Sequence, residues 1–176
     1  RFLPLWRGFG LQFPDRGAAL AAAWSDAWST ACGTPCLDLS SKDGEEKTVG
    51  LGQPFLEMAG RPTKEERWSP VLLLNGTHQE TGKRFIASNV KVEPGTFLDS
   101  FDMHEVLKGD VTLATAALNS ARFTYVSPAG LLEDLNGDYH GHVLDGGYFE
   151  NFGAVTSAEV AREAITTAAF EIAERL

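Results

Sequence analysis

The sequence predicts an α/β fold in a single domain. Three observations carry this. Helical patterns alternate along the chain with short apolar runs of strand length, glycine, proline and Asn-Gly punctuate them, and no repeat or low-complexity tract breaks the order. A chain of 176 residues is long enough to bury a real core.

The first element is a helix over Arg16 to Ala31, with Asp15 as its N-cap and Leu20, Trp24 and Trp28 spaced for one face. Gly33 and Pro35 end it. Ser40 to Thr48 is polar and charged with Gly44 inside, and reads as a solvated loop. Gln53 to Ala59 predicts a short helix ending at Gly60, before the charged segment Thr63 to Arg67. Val71 to Asn75 and Arg84 to Asn89 predict two strands joined by a turn at Thr81-Gly82. Asp110 is placed to cap a helix over Val111 to Ser120. Asn136-Gly137 marks a turn, Tyr139 to Leu144 a strand, and Thr156 to Leu176 a terminal amphipathic helix. That last helix carries Val160, Ala164, Ala168 and Ile172 at a spacing of four between charged residues. The pattern is that of a helix covering a sheet, and it serves equally for docking on a partner.

Composition narrows the function. The apolar fraction of 43% and charged fraction of 22% are ordinary for a globular domain. A formal charge of -9 argues against a nucleic-acid partner, whose phosphates would be repelled. No apolar run reaches the roughly 18 residues a bilayer span needs. Cys32 and Cys36 are too few for a disulfide framework and lack the further ligands a zinc site requires. The chain opens on Arg1 without the head and apolar run of a signal peptide, and is expected to be a piece of a longer protein. Phe2, Leu3, Leu5, Trp6, Phe9, Leu11 and Phe13 crowd its first stretch, which is expected to pack on a missing part of the protein or on a lipid surface.

HVLDGGYFENFG, from His142 to Gly153, is the segment richest in chemistry. A short apolar strand delivers the Asp145 carboxylate to its C-terminal end, where open α/β sheets place ligands. Gly146 and Gly147 follow, and without a Cβ each lets backbone or substrate come close.

Three segments in order, VLLLNGTHQETGKRFIAS, DVTLATAALNSARFTYVSPAG and HVLDGGYFENFG, resemble those of patatin-like phospholipases and related lipid acyl hydrolases. The resemblance covers Val71 to Gly153 and, more weakly, the helix from Asp15 to Trp28. Thr124 stands where the family commonly has proline. The resemblance implies a place in a three-layer α/β/α sandwich. It also implies hydrolysis of lipid esters by a serine–aspartate dyad, with no cofactor and no metal. Asp145 takes the position of the catalytic aspartate, Gly146 and Gly147 fix its turn, and Asn151 matches a downstream asparagine that braces the loop. The implied partners are a lipid or acyl-ester substrate, the missing N-terminal part of the same protein and a membrane surface. Cellular location is left open.

The chain departs from the family in one respect that matters. The nucleophile belongs in a G-x-S-x-G elbow and the oxyanion hole in a glycine-rich loop, and neither occurs in the 176 residues. Ser120 and Ser127 are the nearest upstream serines, and Ser120 follows Asn119 rather than an elbow glycine. The chain alone is therefore expected to be inactive. A pseudoenzyme or accessory module that keeps the scaffold for binding is the competing class.

Other residues invite functional readings. His140 and His142 alternate on a strand and could face one way as metal ligands, but a third ligand is wanting. Asp134, Asn136 and Asp138 begin like a calcium loop, yet Tyr139 and Asp145 stand where glycine and glutamate belong, so a hairpin turn explains them. Asn75-Gly76-Thr77 fits a glycosylation sequon but follows an apolar strand, which favours a structural role. Glu150 reads as a solvated loop acid.

Overall fold

The computed structural model describes residues 15–32, 37–38, 47–48, 50–59 and 71–173. Its centre is a five-stranded mixed sheet with helices around it, an α/β fold. Helix α1 (Arg16–Cys32) begins as predicted, with Asp15 Oδ1 accepting the Ala18 N–H at 2.6 Å. Leu20, Ala21 and Trp24 pack against Ala114, Leu118 and Leu51. Trp28 falls off that seam, is 47% exposed, and lays its indole against Gly50.

Strands β1 (Leu37–Asp38) and β2 (Lys47–Thr48) pair antiparallel, so the end of the predicted polar loop is a strand. The predicted helix near Gln53 is a 3-10 turn over Leu56–Ala59. Cys36, Gly60, Thr63 to Arg67 and the apolar stretch before Asp15 lie outside the described residues.

The main sheet contains β3 (Leu73–His78), β4 (Arg84–Ser88), β5 (Ser100–Asp102), β6 (Gly130–Glu133) and β7 (Tyr139–Asp145). They lie in the order β5-β4-β3-β7-β6, with only β4 and β5 parallel. β3 does not stop at Asn75. Gly76 continues it because a neighbour on each side, Phe85 and Asp145, pairs there, and Val143 Cγ2 fills the space a Cβ would take. Gly82, at φ 71°, closes the turn to β4.

All five residues of β4 are buried. Phe85 and Ala87 join Phe55, Met103, Ala116, Leu132 and Val143 in one core, while Ile86 joins Val92 and Phe97 in another. Alternation along the strand thus feeds two separate clusters.

Asp102 ends β5 and caps α2 (Met103–Leu107) by accepting the N–H groups of His104 and Glu105. Helix α3 (Leu113–Ser120) is capped by Thr112, not Asp110. Asp110 is drawn off to the Leu56 N–H, at 3.1 Å, a partner 54 residues away.

Helix α4 (Ala154–Ala173) corrects the expectation of an apolar stripe on the sheet. Among its described side chains only Thr156 and Glu159 are buried, while Val160 is 41%, Ile165 71% and Phe170 69% exposed. The helix docks through polar groups because a buried cation, Arg84, lies beneath it.

Candidate functional site around Asp145

Asp145 stands at the C-terminal end of β7, half-buried, as the cap of a 3-10 turn over Gly146–Tyr148. Its backbone is held on both sides. Its N–H donates to the Arg122 carbonyl at 3.0 Å, and Thr77 Oγ1 donates to its carbonyl at 2.9 Å. Oδ1 accepts the Gly147 N–H at 2.6 Å, while Oδ2 has no protein partner among the described residues. A carboxylate with one oxygen fixed and the other open can take a proton from a hydroxyl brought to it.

Both glycines are required by space. A Cβ on Gly146 would overlap the Asn75 carbonyl oxygen and lie 3.0 Å from its carbon. A Cβ on Gly147 would lie 2.9 Å from both Asp145 Oδ1 and Asn151 Oδ1. Asn151 is exposed and closes over Gly147 by this approach. The brace expected of it, a side-chain-to-backbone hydrogen bond, is not formed among the described residues.

Ser120 is half-buried and Oγ donates to the Asn75 carbonyl at 2.6 Å, so its proton is committed away from Asp145. Ser127 is buried. Neither hydrogen-bonds Asp145 among the described residues.

Glu150 corrects the expectation of a solvated acid. It is half-buried and accepts four donors: Asn75 Nδ2 (3.2 Å), Thr156 Oγ1 (2.7 Å), Thr156 N–H (3.3 Å) and Val155 N–H (2.7 Å). Burial alone would raise its carboxyl pKa, but the Thr156 and Val155 hydrogen bonds and the Arg84 charge lower it below the ordinary value. Arg84, fully buried, donates to Thr156 Oγ1 at 2.9 Å and pairs with Glu159 at 2.7 Å, and its guanidinium lies 5.0 Å from the Phe149 ring centroid. Arg84 opens β4 directly after Lys83, a place where the sequence reads as a solvated strand end, so nothing in it signals this network.

Arg122, also buried, donates to Asn119 Oδ1 and the Pro128 carbonyl and reaches Asp15 Oδ2 at 3.3 Å. It therefore ties the α1 cap to the strand that carries Asp145. Just beyond it Phe123 lies 5.5 Å from Tyr125 and 6.5 Å from Tyr148, ring to ring, and Thr124 bonds the Tyr148 hydroxyl. With Phe152, 92% exposed, these rings flank the Asp145 turn with aromatic surface.

At the other end of β7 a bulge takes up His140 as an extra residue opposite β6, and simple alternation fails there. His142 Nδ1 turns to Glu80 at 2.8 Å and His140 Nε2 to Asp134 at 3.3 Å, so the two rings serve different carboxylates. Burial raises the Glu80 carboxyl pKa, but hydrogen bonds from the His142 ring and backbone and from Tyr139 outweigh it and bring the value to about 2. Asp134 accepts the Asn136 and Asp138 N–H groups, closing the hairpin turn that the Asn136-Gly137 pair predicts. Among the described residues no group of three or more His, Cys, Asp or Glu side chains is placed to hold a metal ion. No described helix is long and apolar enough to cross a membrane.

No family model, no curated protein and no solved structure matches the chain.

Proposed function

We propose that this chain supplies the aspartate half of a patatin-like acyl hydrolase, with Asp145 as the base and a serine from outside these 176 residues as the nucleophile. The five-stranded sheet would then be part of the middle layer of an α/β/α sandwich. The serine hydroxyl would approach Oδ2 of Asp145, lose its proton to it and attack the ester carbonyl of a lipid. Asp145 would return that proton to the leaving alcohol, then take one from a water that attacks the acyl group and hand it to the serine oxygen as the carboxylic acid leaves. No metal or cofactor is needed for these steps.

The observation that carries the reading is the state of Asp145: strand-end, half-buried, one oxygen fixed by Gly147 and the other unpartnered among the described residues. The aromatic surface of Phe123, Tyr125, Tyr148 and Phe152 beside it suits an apolar substrate or a membrane surface. The same exposed surface, in a chain without G-x-S-x-G, favours the second reading of a non-catalytic binding module.

The isolated chain should not turn over a short-acyl p-nitrophenyl ester. A protein extended upstream to include a glycine-elbow serine should do so, and Asp145→Ala should cost it ~10²–10⁴-fold in rate, the usual worth of a general base. Hydrolysis indifferent to Asp145→Ala, or an upstream sequence without such a serine, would end the hydrolase reading.

A further inference from the structure

We propose that Glu150 is a positioning residue for Asp145, acting through Asn75 on strand β3. The inference rests on the hydrolase reading only for what Asp145 does, not for how it is held.

The segment from Asp145 to Glu150 is fastened to β3 at both ends. At its start Thr77 Oγ1 holds the Asp145 carbonyl, and at its end Asn75 Nδ2 donates to Glu150 Oε1. Asn75 and Thr77 are two residues apart on one strand, and so project from the same face. Between the two anchors the Gly146 carbonyl accepts both the Phe149 and Glu150 N–H groups at 3.0 Å, which winds the turn, and Gly146 lies directly on the Asn75 backbone.

Glu150 can serve as an anchor because it is itself immobilised. Its Oε2 takes the Val155 N–H and its Oε1 the Thr156 hydroxyl, at the first turn of α4. Thr156 is in turn gripped by Arg84, which faces Thr77 across the β3–β4 register. Asn75 also donates to Thr156 Oγ1 at 2.9 Å, closing the ring of contacts. The Gly147 N–H that fixes Asp145 Oδ1 lies in the middle of this clamped segment. Releasing its far end frees the turn to unwind and the carboxylate to rotate.

The test is nuclear magnetic resonance on the full 176-residue chain, following the Gly147 amide through a pH titration. In the parent chain its shift should follow the ionisation of Asp145, and Asp145→Asn should abolish that dependence. Both Glu150→Ala and Asn75→Ala should reduce the titration amplitude by at least about half. Both should also speed Gly147 and Phe149 amide exchange by roughly tenfold, the mark of local opening. Glu150→Gln, which keeps an acceptor at the same place, should restore most of both.

Full titration in both alanine variants, with the fold intact by circular dichroism, overturns the proposal. So does loss in Glu150→Ala with retention in Asn75→Ala, since that outcome confines Glu150 to capping α4. Should Glu150→Ala not fold, Asn75→Ala carries the test, because it leaves the contacts of Glu150 with Val155 and Thr156 in place. The readout is independent of hydrolysis, so an extended protein without esterase activity removes the hydrolase reading and leaves this result standing.

Discussion

Removing Glu159 should be among the most damaging single changes this chain can suffer. The Arg84 side chain is 0% exposed and that of Glu159 9%. Nη2 donates to Oε1 at 2.9 Å, Nη1 lies 2.7 Å from Oε2 as an ion pair without hydrogen-bond geometry, and Oε1 also accepts the Leu98 N–H at 3.0 Å. Glu159→Ala leaves the guanidinium buried with the Leu98 carbonyl, the Thr156 hydroxyl and the Phe149 ring as its remaining partners. Breaking a buried pair from one side costs about 3–5 kcal/mol, a large share of the ~5–15 kcal/mol that holds a typical domain folded. The double replacement Arg84→Met with Glu159→Leu removes both charges together and should recover most of the loss. Urea unfolding followed by circular dichroism measures all of these variants on one scale. A loss below about 1 kcal/mol in Glu159→Ala, or a double variant no more stable than Glu159→Ala, would refute the claim that this ion pair is desolvated.

Gly146→Ala should cost about 1–3 kcal/mol, because the new Cβ meets the Asn75 backbone rather than a movable side chain. Gly95→Ala, where nothing lies within 4 Å, should be neutral or stabilising by up to about 1 kcal/mol, and equal effects at the two sites in chemical unfolding would contradict both assignments. Glu80 predicts an acid dependence. Its carboxyl pKa is lowered from 4.5 to about 2 in the folded chain, so its contribution is fully present above pH 4.5 and is lost as pH falls through 2. The side chain is 39% exposed, so the effect is on the order of 1 kcal/mol or less, and Glu80→Gln should flatten the stability–pH curve between pH 5 and 2. A curve of unchanged slope in that variant would show that the carboxylate gains nothing from His142 and Tyr139.

What could be read from the sequence was local. The α1 cap, the strand before Asp145 and the glycines after it each depend on neighbours a few residues away, and each stands where the pattern puts it. Strand β5 escaped because three residues are too few to show an alternation, and β6 because its buried and exposed leucines, Leu132 and Leu131, are the same residue type, so an alternation present in burial is absent from the sequence. The α3 cap was misread because two good capping residues, Asp110 and Thr112, lie close together, and a distant N–H decided between them. Glu150 was misread for a mixed reason: three of its donors, the Val155 N–H and the N–H and hydroxyl of Thr156, lie five and six residues on at the start of α4, while the fourth, Asn75 Nδ2, is 75 residues away. The two histidines, for which the sequence offered no third ligand, pair with different carboxylates, Asp134 and Glu80, where a bulge at His140 interrupts the register with β6.

Asp145 and Glu150 stand five residues apart in one turn, and what separates them is the number of lone pairs already spoken for. Glu150 accepts four donors from the protein, which leaves a carboxylate little capacity for anything else. Asp145 accepts one, on one oxygen. A proton acceptor must keep an accessible lone pair and must be held by bonds that do not consume it. Asp145 meets that condition because two of its fixing bonds fall on its backbone, from Thr77 and to Arg122, and the one on its carboxylate, from the Gly147 N–H, occupies Oδ1 alone. The buried charges of Arg84 and Glu159 behind the turn fit the same division, since such pairs add little net stability over an apolar substitute. Their worth here lies in giving Thr156 and Glu150 a single arrangement against which the Asp145 segment is fastened.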